Sequence, residues 1–336
     1  MENIDRDLIA AAVNGHTEMV RSLLDKGANV NAEEGRALYS AAHRGHTEMV
    51  KLLLDNGANV HASEDHALWM AASHGYIETV KLLLEKGANV NANKGNALSD
   101  AAMHGHTEMV RLLLAKGANL HADRDAPLFV AVTSGQTETV RLLLDMGADI
   151  NAHEGALNMA VQSGYTETAK LLLDRGANAI AVVCAFRNAV VSGRTEMVRF
   201  LLDNGANVNA EKDDALTRAA SQGYTEMARL LLDKGANVNA KNDNALTTAA
   251  INGHTEMVRL LLDKGSNVNV NVALGMAAMN GHTEIVQLLL NKGVNASAHR
   301  IALSYASEEG HTETARVLRE HGGILGITLR RLRRLL

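Results

Sequence analysis

Fifteen histidines in 336 residues are the side chains best suited to chemistry, as metal ligands or as general acids and bases. Six of them, His16, His46, His106, His254, His282 and His311, each follow a glycine, and Tyr76, Tyr165, Tyr224, Gln136 and Arg194 take the same place elsewhere. A position that accepts imidazole, phenol, amide and guanidinium suits a hydrogen-bonding post better than a metal ligand. His43, His74 and His104 lie about one repeat apart. Helices packed side by side stand ~8–10 Å from each other, whereas a metal ion needs its ligand nitrogens at ~2 Å, so a shared ion is disfavoured. No H-E-x-x-H, phosphate-cradling glycine loop or C-x-x-C pair occurs. Cys184 is the only cysteine, in apolar surroundings that tend to leave a thiol inert. Acid pairs such as Asp213 with Asp214 fall in a polar linking stretch. The expectation is a protein without metal, cofactor or enzymatic activity.

The elements that position these residues form a repeating frame. The stretch from Gly253 to Asn269 reads Gly-His-Thr-Glu-Met-Val-Arg-Leu-Leu-Leu-Asp-Lys-Gly-Ser-Asn-Val-Asn, and near-copies begin at Gly15, Gly45, Gly75, Gly105, Gly135, Gly164, Gly193, Gly223, Gly281 and Gly310. Eleven copies at intervals of 28 to 30 residues reduce the fold to one unit and its stacking. Between the two glycines the pattern predicts a short amphipathic helix. Thr255 is placed to cap its start, Glu256 and Lys264 suit the helix dipole at the first and last turns, and Gly265 supplies a left-handed C-cap. Met257, Val258, Leu261 and Leu262 recur at helical spacing as its buried stripe. A second helix precedes the first glycine, as over residues 245–252. There Leu246, Ala249 and Ala250 share one face, and the alanines let two backbones approach closely. Polar stretches such as 241–244 link one hairpin to the next. Glycine to glycine within a unit is always twelve residues, while the link varies from sixteen to eighteen, which places length variation in the linking turn. With 46% apolar but only 3% aromatic residues, the core must be built from Leu, Ala, Val and Met.

Segments of the type Gly-His-Thr-Glu-Met-Val-Arg-Leu-Leu-Leu-Asp-Lys-Gly-Ala-Asn-Val-Asn-Ala, over residues 5–322, resemble the ankyrin repeat. The resemblance implies an all-α fold, an ankyrin-repeat solenoid of about eleven helix-turn-helix units over residues 1–322, with residues 323–336 as a basic amphipathic tail or capping helix. The family's usual period is ~33 residues with a Thr-Pro-Leu-His turn. Here the unit is shorter by about three and Pro127 is the only proline, so shortened inter-repeat turns with a reduced β-finger are expected. Short units of this kind look like those in proteins of giant viruses and of some intracellular bacteria. The resemblance further implies that the histidine after the glycine bonds the neighbouring backbone, and that Asn31, Asn91, Asn151, Asn209, Asn239 and Asn269 match an asparagine open to hydroxylation in the family. It also implies that first-helix residues just before the glycine line a concave face that meets a partner protein.

The residues that depart from the frame are the candidates for that contact. Tyr39, Trp69 and Phe129 share one column of the first helix, and His43, Arg44, Met70, His74, Met103 and His104 stand nearby. Tyr, Trp, Met and Arg are types enriched at interfaces. Ser99, Thr217, Thr247 and Gly275 occupy the same column elsewhere, so the frame does not demand a ring there. Two readings stay open, partner contact and the filling of gaps under the shortened turn. The segment from Ala179 to Cys184, Ala-Ile-Ala-Val-Val-Cys, replaces a polar turn and reads as a buried connection or bend, or else as an exposed contact patch.

At the ends, Ser22 replaces the first leucine of the Leu triplet and Arg319 the third, as if those faces met water and the array were finished. Beyond Gly323, Leu325, Leu329, Leu332 and Leu336 share a helical face with Arg330, Arg331, Arg333 and Arg334 around it. That segment reads as a lid on the last repeat, or as a contact for a partner, an anionic membrane surface or nucleic acid. Net charge is −5; the four tail arginines contribute +4, leaving −9 for the array, which therefore disfavours nucleic acid. No apolar run approaches the ~20 residues of a membrane span, the acidic N-terminus lacks a signal-peptide core, and a single cysteine gives no sign of an oxidising compartment. The expectation is a cytoplasmic, monomeric scaffold that binds a protein partner. The alternative, implied by the viral and bacterial likeness, is a host-targeting effector or adaptor that recruits its bound protein to other machinery through the tail.

Overall fold

The computed structural model describes residues 2–153, 155–240, 245–267 and 269–332, with backbone alone at 2, 179, 210–214 and 323–332. The linking stretch 241–244 lies outside them, as do the side chains of Asp213 and Asp214. Among the described residues there are 22 α-helices, one short 3-10 turn at Ala92–Gly95 and no strand, in agreement with the all-α expectation. The chain forms two compact units, Met1–Ala181 and Val182–Leu336.

In the first unit, α1 (Glu2–Val13), α3 (Ala32–His43), α5 (His66–Ser73), α7 (Asn96–Met103), α9 (Ala126–Thr133) and α11 (Ala156–Ser163) pack in succession, each on the next. Each also packs on the helix that follows it: α2 (Thr17–Asp25), α4 (Thr47–Asp55), α6 (Ile77–Glu85), α8 (Thr107–Ala115), α10 (Thr137–Asp145) and α12 (Thr166–Asp174). The core lies between these layers. Leu38, Ala41, Ala42, Val50 and Leu53 are fully buried, as are their counterparts in the neighbouring hairpins. Alanine pairs such as Ala41 and Ala42 keep successive first helices close, and burial of the branched side chains contributes about 1.5–3 kcal/mol each.

In the second unit α15 (Ala210–Gln222), α17 (Ala245–Ile251), α19 (Val270–Met279) and α21 (Ala296–Glu308) make the first layer. The second layer is α14 (Thr195–Asp203), α16 (Thr225–Asp233), α18 (Thr255–Asp263), α20 (Thr283–Asn291) and α22 (Thr312–Leu332). Leu246, Ala249, Ala250, Met257, Val258, Leu261 and Leu262 are all buried, as their spacing requires.

Three expectations are corrected. The threonine that opens the second helices, other than α6 with Ile77, is the first helical residue, and the N-cap before it, His254 in α18, forms no side-chain cap. In several hairpins its hydroxyl donates backwards, as Thr225 Oγ1 does to the Gly223 carbonyl at 3.3 Å. In four hairpins it meets a buried threonine of the next repeat, as Thr47 meets Thr79 at 2.8 Å, Thr107 meets Thr139 at 2.8 Å, Thr137 meets Thr168 at 2.7 Å and Thr283 meets Thr314 at 2.7 Å. The Ala179–Cys184 segment is no turn, because it opens helix α13 (Ala179–Val191). Its residues divide between the two readings, with Ala181 buried and Ile180 67% exposed. Finally, α22 runs through Gly322 and Gly323 to Leu332, so the twelve-residue glycine spacing does not end that helix.

In several hairpins the residue after the framework glycine is hydrogen-bonded to the hairpin before. His106 donates from Nε2 to the Ser73 carbonyl at 3.1 Å, His254 to Ser221 at 3.1 Å, His282 to Ile251 at 3.0 Å and His311 to Met279 at 2.9 Å. Gln136 reaches the Met103 carbonyl in the same way at 3.2 Å. The ring also lies on the preceding glycine: a Cβ added at Gly45, where φ is +70°, would sit 2.7 Å from the Tyr76 ring. Gly265 differs, since its φ of +90° alone demands glycine and the space around it is open.

Candidate functional site

The first helices of unit 1 carry the candidates. Of these, α3, α5, α7 and α9 are entered through a left-handed stretch, Glu33–Gly35, Ser63–Asp65, Asn93–Gly95 and Asp123–Asp125, in which every φ is positive. Tertiary contacts hold these conformations, which cost an ordinary residue roughly 1–2 kcal/mol each. At Gly35 and Gly95 an added Cβ would approach Ala62 at 2.6 Å and Ala122 at 3.2 Å. At the equivalent Asp65 the buried carboxylate accepts the Asn89 N–H at 2.9 Å and His61 Nδ1–H at 3.1 Å. Asp125 does the same with the Asp149 N–H at 3.1 Å and His121 at 2.8 Å. Glycine and aspartate thus alternate at this joint.

The asparagines at the turns are structural in this setting. Asn31 donates to the Gly57 carbonyl at 3.0 Å and accepts from the Asn59 N–H at 2.7 Å, and Asn91 does likewise with Gly117 at 3.0 Å and Asn119 at 2.7 Å. Asn209 and Asn239 reach Gly235 at 3.3 Å and Gly265 at 3.1 Å.

On this frame the aromatic column becomes a connected ladder. Tyr39 meets His66 edge to face at a ring separation of 5.0 Å, and His66 meets Trp69 the same way at 4.8 Å. Trp69 then donates from Nε1 to Asp100 Oδ2 at 2.6 Å. All four side chains are half-buried, so they are neither core residues nor free. His66 and Asp100 were not singled out from the sequence. Their signal is that they stand on neighbouring helices, 27 and 31 residues from Tyr39 and Trp69.

Beside the ladder, the half-buried His43 and the exposed His74 meet edge to face at 4.5 Å. His74 Nδ1–H is fixed by the Met70 carbonyl at 2.9 Å and its ring stacks on Tyr76 at 5.9 Å. His104 Nδ1–H is held by the Asp100 carbonyl at 2.9 Å, with the ring stacked on His106 at 6.0 Å. Burial, then the charges of His74 and Arg44, push the His43 pKa down, and burial followed by His43 lowers that of His66. Met70 and Met103 are half-buried and Arg44 is exposed. Phe129 stands apart from the ladder, packed on His153 at 4.4 Å, so the structure joins Tyr39 and Trp69 but gives Phe129 a separate partner. The side chains of Arg330 and Arg331, together with Arg333 and Arg334, lie outside the described residues.

In the second unit the same column holds Thr217, Thr247 and Gly275 in place of rings. Gly275 is helical with ordinary φ, and an added Cβ would meet only the Tyr305 ring at 3.6 Å. Val272, Met276, Ile301 and Tyr305 border an open apolar groove of about 310 Å³ above it. Among the described residues no group of three or more His, Cys, Asp or Glu is placed to hold a metal ion. Nor is any described helix long and apolar enough to cross a membrane.

Comparison with known proteins bears on the repeats that carry this face. A family model for ankyrin repeats in three copies matches residues 7–64, 68–154, 120–182, 186–272 and 271–328. No curated protein matches the chain.

Proposed function

Because the chain belongs to the ankyrin-repeat family, whose repeats are generally protein–protein interaction modules, we propose that it is a scaffold binding a partner protein on the first-helix face of unit 1. The observation that carries this reading is the ladder Tyr39–His66–Trp69–Asp100. In other hairpins the column of Tyr39 and Trp69 holds Ser99, Thr217, Thr247 or Gly275, so the stack stands without aromatic rings there. The rings it does hold are fixed by edge contacts and by one hydrogen bond to a carboxylate. Rings already ordered lose little side-chain freedom on docking, and each rotamer-rich side chain immobilised otherwise costs about 0.5–1.5 kcal/mol. Met70, Met103 and Arg44 surround the ladder with further residue types enriched at interface hot spots.

Affinity purification of the wild-type chain beside a Trp69→Ala, Tyr39→Ala variant tests the reading. A partner bound at this face is recovered by wild type and lost, or weakened at least tenfold in titration, with the variant. Equal recovery of the same partners by both chains would place the interface elsewhere.

A further inference from the structure

The strip next to the ladder has a charge character of its own. The C-terminal ends of α3, α5 and α7 bring together Arg44, His43, His74 and His104, and the one carboxylate in the last turns of these helices, Asp100, is committed to Trp69. Arg44 is exposed and has no carboxylate partner among the described residues, whereas many cations of the second layer pair with acids, as Lys81 of α6 does with Glu78 at 2.8 Å. His43 and His74 are in ring contact with each other and with no acid. The exposed guanidinium of Arg44, the one fixed positive charge of this strip on a chain whose net charge is −5, repels basic partners and attracts acidic ones.

We propose that the strip docks an acidic segment of a protein partner, a carboxylate pairing with Arg44 beside the His43 and His74 rings while an apolar side chain of the same segment lies on Trp69, Met70 and Met103. This rests on the reading that the first-helix face of unit 1 binds protein. The Nδ1–H bonds of His74 and His104 to the Met70 and Asp100 carbonyls leave their Nε2 atoms available to a ligand. Single-stranded nucleic acid would also use rings and positive charge, but the Asp100 carboxylate 2.6 Å from the indole nitrogen opposes a phosphate backbone along the ladder.

A random dodecapeptide library displayed on phage, panned on the immobilised full chain and counter-selected on Trp69→Ala, Tyr39→Ala, tests this directly. Peptides are expected to be enriched that carry two or more Asp or Glu beside Leu, Phe or Trp. As synthetic peptides they should bind about tenfold more weakly to Arg44→Glu and weaken as salt is raised. Arg44 is exposed, and circular dichroism of the variant confirms that its helices are intact. Peptides that need Trp69 and Tyr39 but lack acids, or bind Arg44→Glu equally well, overturn the proposal and leave the protein-binding reading standing. Absence of any enrichment over the counter-selection overturns both. Tighter binding of a fluorescent U12 RNA than of any selected peptide overturns the proposal in favour of nucleic acid.

Discussion

Replacing Asp100 with alanine removes the acceptor that fixes Trp69 without touching the indole itself. The bond is 2.6 Å long between half-buried groups. A hydrogen bond to a charged partner is worth about 1.5–3 kcal/mol, and here the freed indole N–H can turn to water, which brings the expected loss of stability to about 1 kcal/mol. Releasing the ring restores side-chain freedom that a partner must remove again, at about 0.5–1.5 kcal/mol, so affinity at this face should fall about two- to tenfold. Trp69 is the only tryptophan, which makes emission wavelength and anisotropy decay clean reporters. Asp100→Ala should shift the emission to the red and shorten the local rotational correlation time. Asp100→Asn, which keeps an acceptor, should change both less. A double-mutant cycle with Trp69→Phe should give a coupling of about 1 kcal/mol. Unchanged anisotropy together with zero coupling would refute the argument that this bond orders the ladder.

Two further outcomes follow from the packing. Gly45→Ala and Gly57→Ala both place a side chain at positive φ, +70° and +84°, at about 1 kcal/mol each. Only the Cβ at 45 meets a ring, Tyr76 at 2.7 Å, so urea denaturation should show Gly45→Ala less stable by a further 1–3 kcal/mol or so. Tyr76→Ala should abolish that excess, and equal losses for the two alanines would refute the contact. Lowered pKa values of His43 and His66 mean that the folded chain binds fewer protons than the unfolded one at mildly acid pH. Their contribution to stability is complete above the ordinary histidine value of about 6.5 and is lost as pH falls through that value toward the lower folded ones. Urea midpoints at pH 7.5 and pH 5.5 should differ less in His43→Gln, His66→Gln than in wild type. An unaltered pH slope would count against the role of these two residues.

Much of the fold was written in the sequence because each hairpin repeats the same physical problem. Val50 and Leu53, Val80 and Leu83, Val110 and Leu113 keep helical spacing because one face of each second helix must be buried, and they are buried. Glycine after the second helix and alanine pairs in the first, such as Ala41 and Ala42, record a left-handed cap and a close helix approach. The candidate face could be located for the converse reason, since Tyr39 and Trp69 break a pattern that serines and threonines satisfy elsewhere.

What the tertiary structure alone decided are the contacts between repeats. Nothing local says that Thr79 exchanges a hydrogen bond with Thr47, that Asp65 holds the Asn89 N–H, or that Trp69 donates to Asp100. These partners lie 24 to 32 residues apart, and only the stacking register sets which side chains meet. Glycine is similarly ambiguous when read alone, because it tolerates both a left-handed cap and a helix interior. Gly265 takes the first at φ +90°, while Gly322 lies inside α22 against His299. The repeating pattern determined the unit, since burial within a hairpin is a local demand on residue type. The joints and the ladder had to await the stack, since a hydrogen bond depends on two groups arriving at one place and each group's own segment fixes only half of that.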